Sequence, residues 1–233
     1  MKIMTFNTQH CLNFITKEID FNVMADAILK CNPDVVSLNE MRGSRVDVDS
    51  ATQVEKLARL TGMKYYYFAK AIIDPSEMGP YGNGILSKVP ITSAETILIP
   101  DPVERKYNGY YETRCILKAK LENGLTILIT HMGLNPDEQE NAVSLVVENI
   151  VDKKCILMGD FNVKPDNMLL TPIYEKMLDT AENFCKDGLS FPSDNPYCKI
   201  DYIFVSRDIK VNFADIPKII ASDHRPHVAE IEI

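Results

Sequence analysis

The sequence predicts an α/β protein whose sheets pack in layers with helices outside them, a sandwich rather than a barrel. Three observations predict it. Short runs rich in Val, Ile, Leu, Phe and Tyr recur along the chain, as strands require. Apolar stripes at helical spacing fall between some of those runs. Segments such as Leu125-Thr126-Ile127-Leu128-Ile129 and Cys155-Ile156-Leu157-Met158 are nearly continuous rather than alternating, so these strands are covered on both faces.

Strands are expected at residues 2–7, 34–40, 64–70, 84–87, 113–121, 125–131, 155–160, 199–205 and 227–233. A helix over 20–30 aligns Phe21, Met24, Ala25 and Ile28 before Asn32-Pro33 stops it. A second over 52–60 turns Val54, Leu57, Ala58 and Leu60 inward and ends at Gly62. A third over 136–151 gathers Ala142, Leu145, Val146, Asn149 and Ile150 on one face.

At 233 residues the chain is short for two full domains, and 45% hydrophobic content suffices for one core, so residues 1–233 are expected to form a single domain. Gly and Pro are scattered singly, without linker, repeat or low-complexity tract. The first residues read as neither signal peptide nor anchor, and no apolar run approaches the ~20 residues that cross a bilayer. A soluble, cytoplasmic monomer without stable membrane insertion is expected. The six cysteines show no Cys-x-x-Cys spacing and are expected as reduced thiols. A net charge of −8 disfavours salt-driven wrapping of polyanions, which draws on Lys and Arg. It leaves room for a locally basic groove and suits a site that concentrates divalent cations.

The chemistry sits at strand ends. Met4-Thr5-Phe6-Asn7, Val36-Ser37-Leu38-Asn39-Glu40, Ile127-Leu128-Ile129-Thr130-His131 and Leu157-Met158-Gly159-Asp160-Phe161-Asn162 are apolar segments that finish in ligand-type side chains. Two further segments lead with them, at Asp201-Tyr202-Ile203 and at Asp223-His224-Arg225-Pro226. In an antiparallel sheet one strand's C-terminal end lies beside its neighbour's N-terminal end, so all six clusters can share one edge. Singly, each is also what a turn selects. Together they would crowd Glu40, Asp160, Asp201 and Asp223 with Asn7, Asn162, His131 and His224, a concentration that needs cations or hydrogen bonds to be tolerable.

Taken in order, Thr5-Phe6-Asn7, Leu38-Asn39-Glu40, Tyr81-Gly82-Asn83-Gly84, Thr130-His131, Gly159-Asp160-Phe161-Asn162, Ile200-Asp201-Tyr202 and Ser222-Asp223-His224 resemble the endonuclease/exonuclease/phosphatase superfamily. The resemblance spans residues 2–233. It implies a DNase-I-like four-layer α/β/β/α sandwich, with two mainly antiparallel sheets flanked by helices, and a Mg²⁺-dependent phosphoesterase for which Mn²⁺ substitutes.

By the same resemblance Glu40 is the principal metal ligand, with Asn7 and Asp223 completing or adjoining that site. Asp201 and His224 form a dyad, Asp160 positions or deprotonates the attacking water, and Asn162 donates to a phosphoryl oxygen. His131 either donates to the phosphoryl group or helps protonate the leaving oxygen. Arg42, Asn83 and Arg114 are substrate-binding candidates; a structural arginine, or a turn asparagine beside glycine, is the plain alternative for each. Asn39 departs from the glutamine that members often carry there.

The superfamily covers nucleases, sphingomyelinases and inositol-phosphate phosphatases, so the resemblance does not name a substrate. The chain has no Trp and shows no insertion of basic and aromatic residues suited to stacking bases. A small soluble phosphoester is therefore expected ahead of DNA or RNA. A binding module that has lost catalysis is the alternative from another class, disfavoured because clustered carboxylates cost stability without a cation.

Overall fold

The computed structural model describes residues 1–44, 51–72 and 79–233. In chain order it contains β1 (Lys2–Asn7), α1 (Phe21–Cys31), β2 (Val35–Arg42), α2 (Gln53–Thr61), β3 (Tyr65–Ile72), β4 (Tyr81–Ser87), β5 (Ile91–Leu98), β6 (Cys115–Leu121), β7 (Thr126–His131), α3 (Pro136–Asn149), β8 (Cys155–Asp160), α4 (Thr171–Lys176), β9 (Met177–Asp179), β10 (Asp201–Ser206), β11 (Lys210–Asp215) and β12 (His227–Glu232).

The helices begin and end where the backbone finds caps. The Asp20 carboxylate accepts from the N–H groups of Asn22 and Val23, and Asn32 closes α1 in the left-handed region. Thr52 accepts from Glu55 N–H at the start of α2, and Gly62 ends that helix at φ +70°. At α3, Asn135 and Glu138 form a reciprocal capping box with Pro136 in the first turn.

Two six-stranded sheets carry the fold, in the orders β11-β12-β1-β2-β4-β3 and β5-β6-β7-β8-β10-β9. Each has one parallel pair, β1 with β2 and β7 with β8, among antiparallel neighbours. Ile3, Val35, Ile85, Leu117, Ile127, Ile129, Met158 and Ile203 form a buried layer shared by both sheets. Met4, Phe6, Leu38 and Leu86 of the first sheet pack with Met24 and Ile28 of α1 and Leu57 of α2. Leu128, Leu157 and Phe204 of the second pack with Ala142 and Val146 of α3 and Ile173 of α4. Three apolar seams thus separate four layers, and the continuous apolar runs of β7 and β8 are buried along their whole length.

β5, β9, β11 and α4 were not expected from the sequence. β5 and β11 are edge strands with partly exposed side chains, so neither presents the apolar run that marks a strand. β9 has three residues and α4 six, below the length at which periodicity is readable. β4 begins at Tyr81, before the expected 84. All six cysteines are free thiols. Among the described residues no helix is long and apolar enough to cross a membrane.

Candidate active site

Strand pairing gathers the polar ends. The parallel β1–β2 pair sets Asn7 beside Asn39, and the parallel β7–β8 pair sets His131 beside Asp160. The antiparallel β8–β10 pair sets Asp201, the first residue of its strand, opposite Asp160, the last of its own. β2 carries a bulge at this end: its register on β4 passes from Leu38↔Gly84 to Met41↔Gly82. Glu40, inside the bulge, adopts φ +61°. That conformation costs a non-glycine residue ~1–3 kcal/mol, and a bulge is a device that re-aims a side chain.

Asn39 ties the two sheets together at this edge. Its Nδ2 donates to Thr130 O and to Asn83 Oδ1, both at 2.9 Å, and its Oδ1 accepts from Asp160 N at 3.1 Å. The glycine of Gly159-Asp160-Phe161-Asn162 is required by the closeness of β8 to its neighbour β7. Gly159 sits at φ +144°, and a Cβ there would come within 1.9 Å of Thr130 O.

Asp160 is the hub. Its Oδ2 accepts from Asn7 Nδ2 at 3.0 Å and lies 3.6 Å from Nε2 of both His131 and His224. Its Oδ1 accepts from Asn162 N–H at 2.9 Å. Asn7 Nδ2 also donates to Glu40 Oε1 at 3.0 Å, and His224 Nδ1 meets Asp201 Oδ2 at 2.8 Å. Asn162 donates one amide hydrogen to Met132 O. Asp223 accepts from Ser222 Oγ at 3.0 Å.

Burial and neighbouring charge set the protonation states. Burial raises the Asp160 pKa; His224 opposes this and Asp201 adds to it. Burial disfavours a charged His224, but Asp201 and Asp160 outweigh it and lift the pKa to about 10, so that imidazole is a cation at neutral pH. His131 is held well below the ordinary histidine value by burial and by Arg114. Burial works against an ionised Glu40, yet His10, His131 and Asn7 bring its pKa to about 2.

The donor set fits a hard divalent cation. Glu40 is ionised, and the pKa of Asp223 is raised by burial and by repulsion from Glu40, against the pull of His224. A cation between these carboxylates relieves that repulsion, and Mg²⁺ prefers such oxygen donors while keeping several waters. Asn7 turns its Nδ2 toward Glu40, with its Oδ1 accepting from Gln9 N–H; an amide flip is what presents its oxygen to an ion. Asp160, Asp201 and His224 also bring ligand-type atoms within 4.8 Å of one another, although Asp201 Oδ2 and His224 Nδ1 are taken up with each other.

The three substrate-binding candidates are placed differently. Asn83 is buried and spends both ends of its amide inside the fold, accepting from Asn39 and donating to Cys115 O at 2.9 Å. Arg42 donates to Gly79 O and stacks on the Tyr81 ring. Arg114 pairs with Glu112 at 2.7 Å and meets His131 Nδ1 at 3.0 Å.

Sequence reasoning missed His10 and Glu112. His10 Nδ1 stands 3.9 Å from Glu40 Oε2, brought there by three consecutive positive-φ residues, Gln9, His10 and Cys11. Its nearness in sequence to Asn7 was the available signal.

A model of the Endonuclease/Exonuclease/phosphatase family matches residues 4–224. The chain belongs to this family. Members are phosphoesterases and nucleases, hydrolases of phosphate esters that are generally dependent on a divalent metal. Among solved structures, the family protein of Beutenbergia cavernae superposes with a TM-score of 0.81 at 20% identity, covering all of this chain and 71% of the other. A mannosyl-6-phosphatase of Bacteroides thetaiotaomicron superposes at 0.75 with 14% identity, each chain covered in full. The human Nocturnin catalytic domain, solved with a bound sulfate anion, superposes at 0.72 with 17% identity, covering all of this chain and 94% of that one. At these identities what is shared is the fold. No curated protein matches the chain in sequence.

Proposed function

We propose that this chain is a Mg²⁺-dependent hydrolase that cleaves a small soluble phosphoester by direct in-line attack of water, without a covalent intermediate. One observation carries the reading: Asp160 Oδ2, a buried carboxylate oxygen, stands equidistant from the Nε2 atoms of two imidazoles. A phosphoryl group set at this edge finds a base and hydrogen-bond donors together, as displacement at phosphorus requires.

Asp160 orients the attacking water and takes its proton at Oδ2; its raised pKa matches it to that task better than an ordinary aspartate would be. Asp201 fixes His224 through Nδ1 and keeps it cationic, so Nε2–H meets the charge that develops on a non-bridging oxygen. Asn162 adds an amide donor, and His131 an imidazole donor. Glu40, Asp223 and a flipped Asn7 would hold the metal, which supplies Lewis-acid stabilisation of the phosphoryl and leaving oxygens when bound.

The net charge of −8 and the lack of Trp support a small ester over long nucleic acid. The same fold carries a mannosyl-6-phosphatase, so such substrates are within its reach. The test is hydrolysis of p-nitrophenyl phosphate and bis-p-nitrophenyl phosphate with Mg²⁺ or Mn²⁺, followed by inositol phosphates, sphingomyelin, abasic-site DNA and single-stranded RNA, with Asp160→Ala as the blank. Silence under every metal would revive the binding module, and turnover of nucleic acid alone would replace the small-ester reading.

A further inference from the structure

The two imidazoles that flank Asp160 are backed by opposite charges. Each sets Nε2 3.6 Å from Asp160 Oδ2. Behind His224, Nδ1 meets a carboxylate, Asp201 Oδ2, at 2.8 Å. Behind His131, Nδ1 meets a guanidinium, Arg114 Nη1, at 3.0 Å.

These partners dictate where the protons lie. A carboxylate accepts, so His224 carries a proton on Nδ1 and its charge is sustained. A guanidinium has only N–H donors and no lone pair to offer, so His131 Nδ1 is the acceptor and the ring proton sits on Nε2. A second proton on His131 would turn Nδ1–H against a guanidinium, breaking that hydrogen bond and opposing two positive charges. Arg114 is not free to swing away: it is 9% exposed, its Nη1 is paired with Glu112 Oε2 at 2.7 Å, and the Tyr81 hydroxyl lies 3.3 Å from the same nitrogen.

We propose that Arg114 is a positioning residue that fixes His131 as the neutral Nε2–H tautomer, so that His131 serves as a hydrogen-bond donor to the phosphoryl group and not as the acid for the leaving oxygen. This rests on the phosphoesterase reading above. A neutral imidazole that gave up its Nε2 proton would become an imidazolate, an anion about as basic as the alkoxide it would protonate, so the leaving oxygen takes its proton from elsewhere. The pairing with Glu112 and His131 also uses Arg114 inside the protein rather than as a clamp on substrate phosphate. Next to the cationic His224, a neutral His131 supplies one more donor without a second positive charge that would bind ground state and transition state alike.

The tautomer is read directly by ¹⁵N–¹H correlation spectroscopy on protein labelled at histidine, with His131 assigned by its loss in His131→Asn. A protonated Nε2 and a bare Nδ1 at neutral pH are expected; Nδ1–H, or averaging between tautomers, would overturn the proposal. This reading needs no turnover, so it stands or falls apart from the phosphoesterase reading, which the p-nitrophenyl esters test. Arg114→Met then separates positioning from gripping. We expect averaged His131 tautomers and a kcat at least ~10-fold lower with KM within ~3-fold of wild type. A KM rise with kcat unchanged marks a phosphate clamp and overturns the proposal; if Arg114→Met does not fold, the wild-type spectrum still decides.

Discussion

Asp160 and Asp201 face each other across the β8–β10 pairing, one closing its strand and the other opening its own. Two carboxylates directly opposed on a sheet repel, and His224, hydrogen-bonded to Asp201 at 2.8 Å and 3.6 Å from Asp160, is the cation that makes the pair tolerable. His224→Ala and Asp201→Asn are therefore expected to lower kcat at least ~10²-fold, the lower end of what positioned acid–base groups contribute. The double variant should lose less than the product of the two, because the residues act as one unit. Turnover near wild type in either single variant, with circular dichroism unchanged, would remove the dyad from the mechanism.

Glu40 is held ionised inside a bulge at φ +61°, a strained placement that the proposed role as metal ligand would account for. Chelation with EDTA is expected to abolish turnover, and Mg²⁺ or Mn²⁺ to restore it. Glu40→Gln keeps the shape and removes the charge, so Mn²⁺ affinity by calorimetric titration should fall at least ~10-fold, the lower bound seen when even supporting residues of metal ligands are lost. Unchanged affinity would move the metal away from this end of β2.

How much of this was legible in the sequence divides along physical lines. β7 and β8 announce themselves because a strand covered on both faces must be apolar throughout, and the polar residues closing those runs marked the edge where the candidate site is gathered. β5 and β11 have no such signature, since one side of each faces solvent or carries mixed side chains. Within the site, Asp160, Asp201 and His224 were legible as residue types at strand termini. The direction of Arg114 was not, because it depends on His131 meeting it from the end of β7 and on Glu112, two residues before it, turning back toward it. Nor was the role of Asn39, whose bonds to Thr130 and Asp160 join strands of different sheets.

Gly159→Ala tests the closeness of β7 and β8. The added Cβ would meet Thr130 O at 1.9 Å, at a φ of +144° that L-residues avoid. Overpacking costs ~1–3 kcal/mol and the backbone conformation ~1–3 kcal/mol more, so a loss of about 2–6 kcal/mol is expected in urea denaturation. Because Asp160 follows immediately, the surviving folded protein should also lose activity. A variant with wild-type stability would mean that the two strands separate more easily than their pairing implies.

Lys199 and Asp179 form an ion pair at 2.6 Å with both side chains almost fully buried, and the Lys199 ammonium also lies 3.6 Å from the centre of the Tyr202 ring. Removing one member strands the other in a low-dielectric interior. Lys199→Met is expected to cost ~3–5 kcal/mol, and the double variant Lys199→Met/Asp179→Leu to recover much of it, since no charge is left unpaired. Denaturant midpoints of the three proteins decide this; a double variant no better than the single would mean that packing against Tyr202, not charge, is what the lysine provides.

His227 gives stability a defined pH window. It is fully buried in β12 and hydrogen-bonded through Nε2 to Thr180 at 3.2 Å. Burial, then the nearby Lys199, depresses its pKa from 6.5 to about 4. Between those values the unfolded chain binds a proton that the folded one refuses. The contribution of the neutral histidine is therefore complete above about pH 6.5, declines as pH falls, and is gone below about pH 4. At ~1.4 kcal/mol per pH unit of difference, the full effect is about 3 kcal/mol. Urea midpoints at pH 7.5 and pH 5 should thus differ more for wild type than for His227→Gln, which has no proton to gain. Equal differences in the two proteins would place the acid sensitivity of the fold elsewhere.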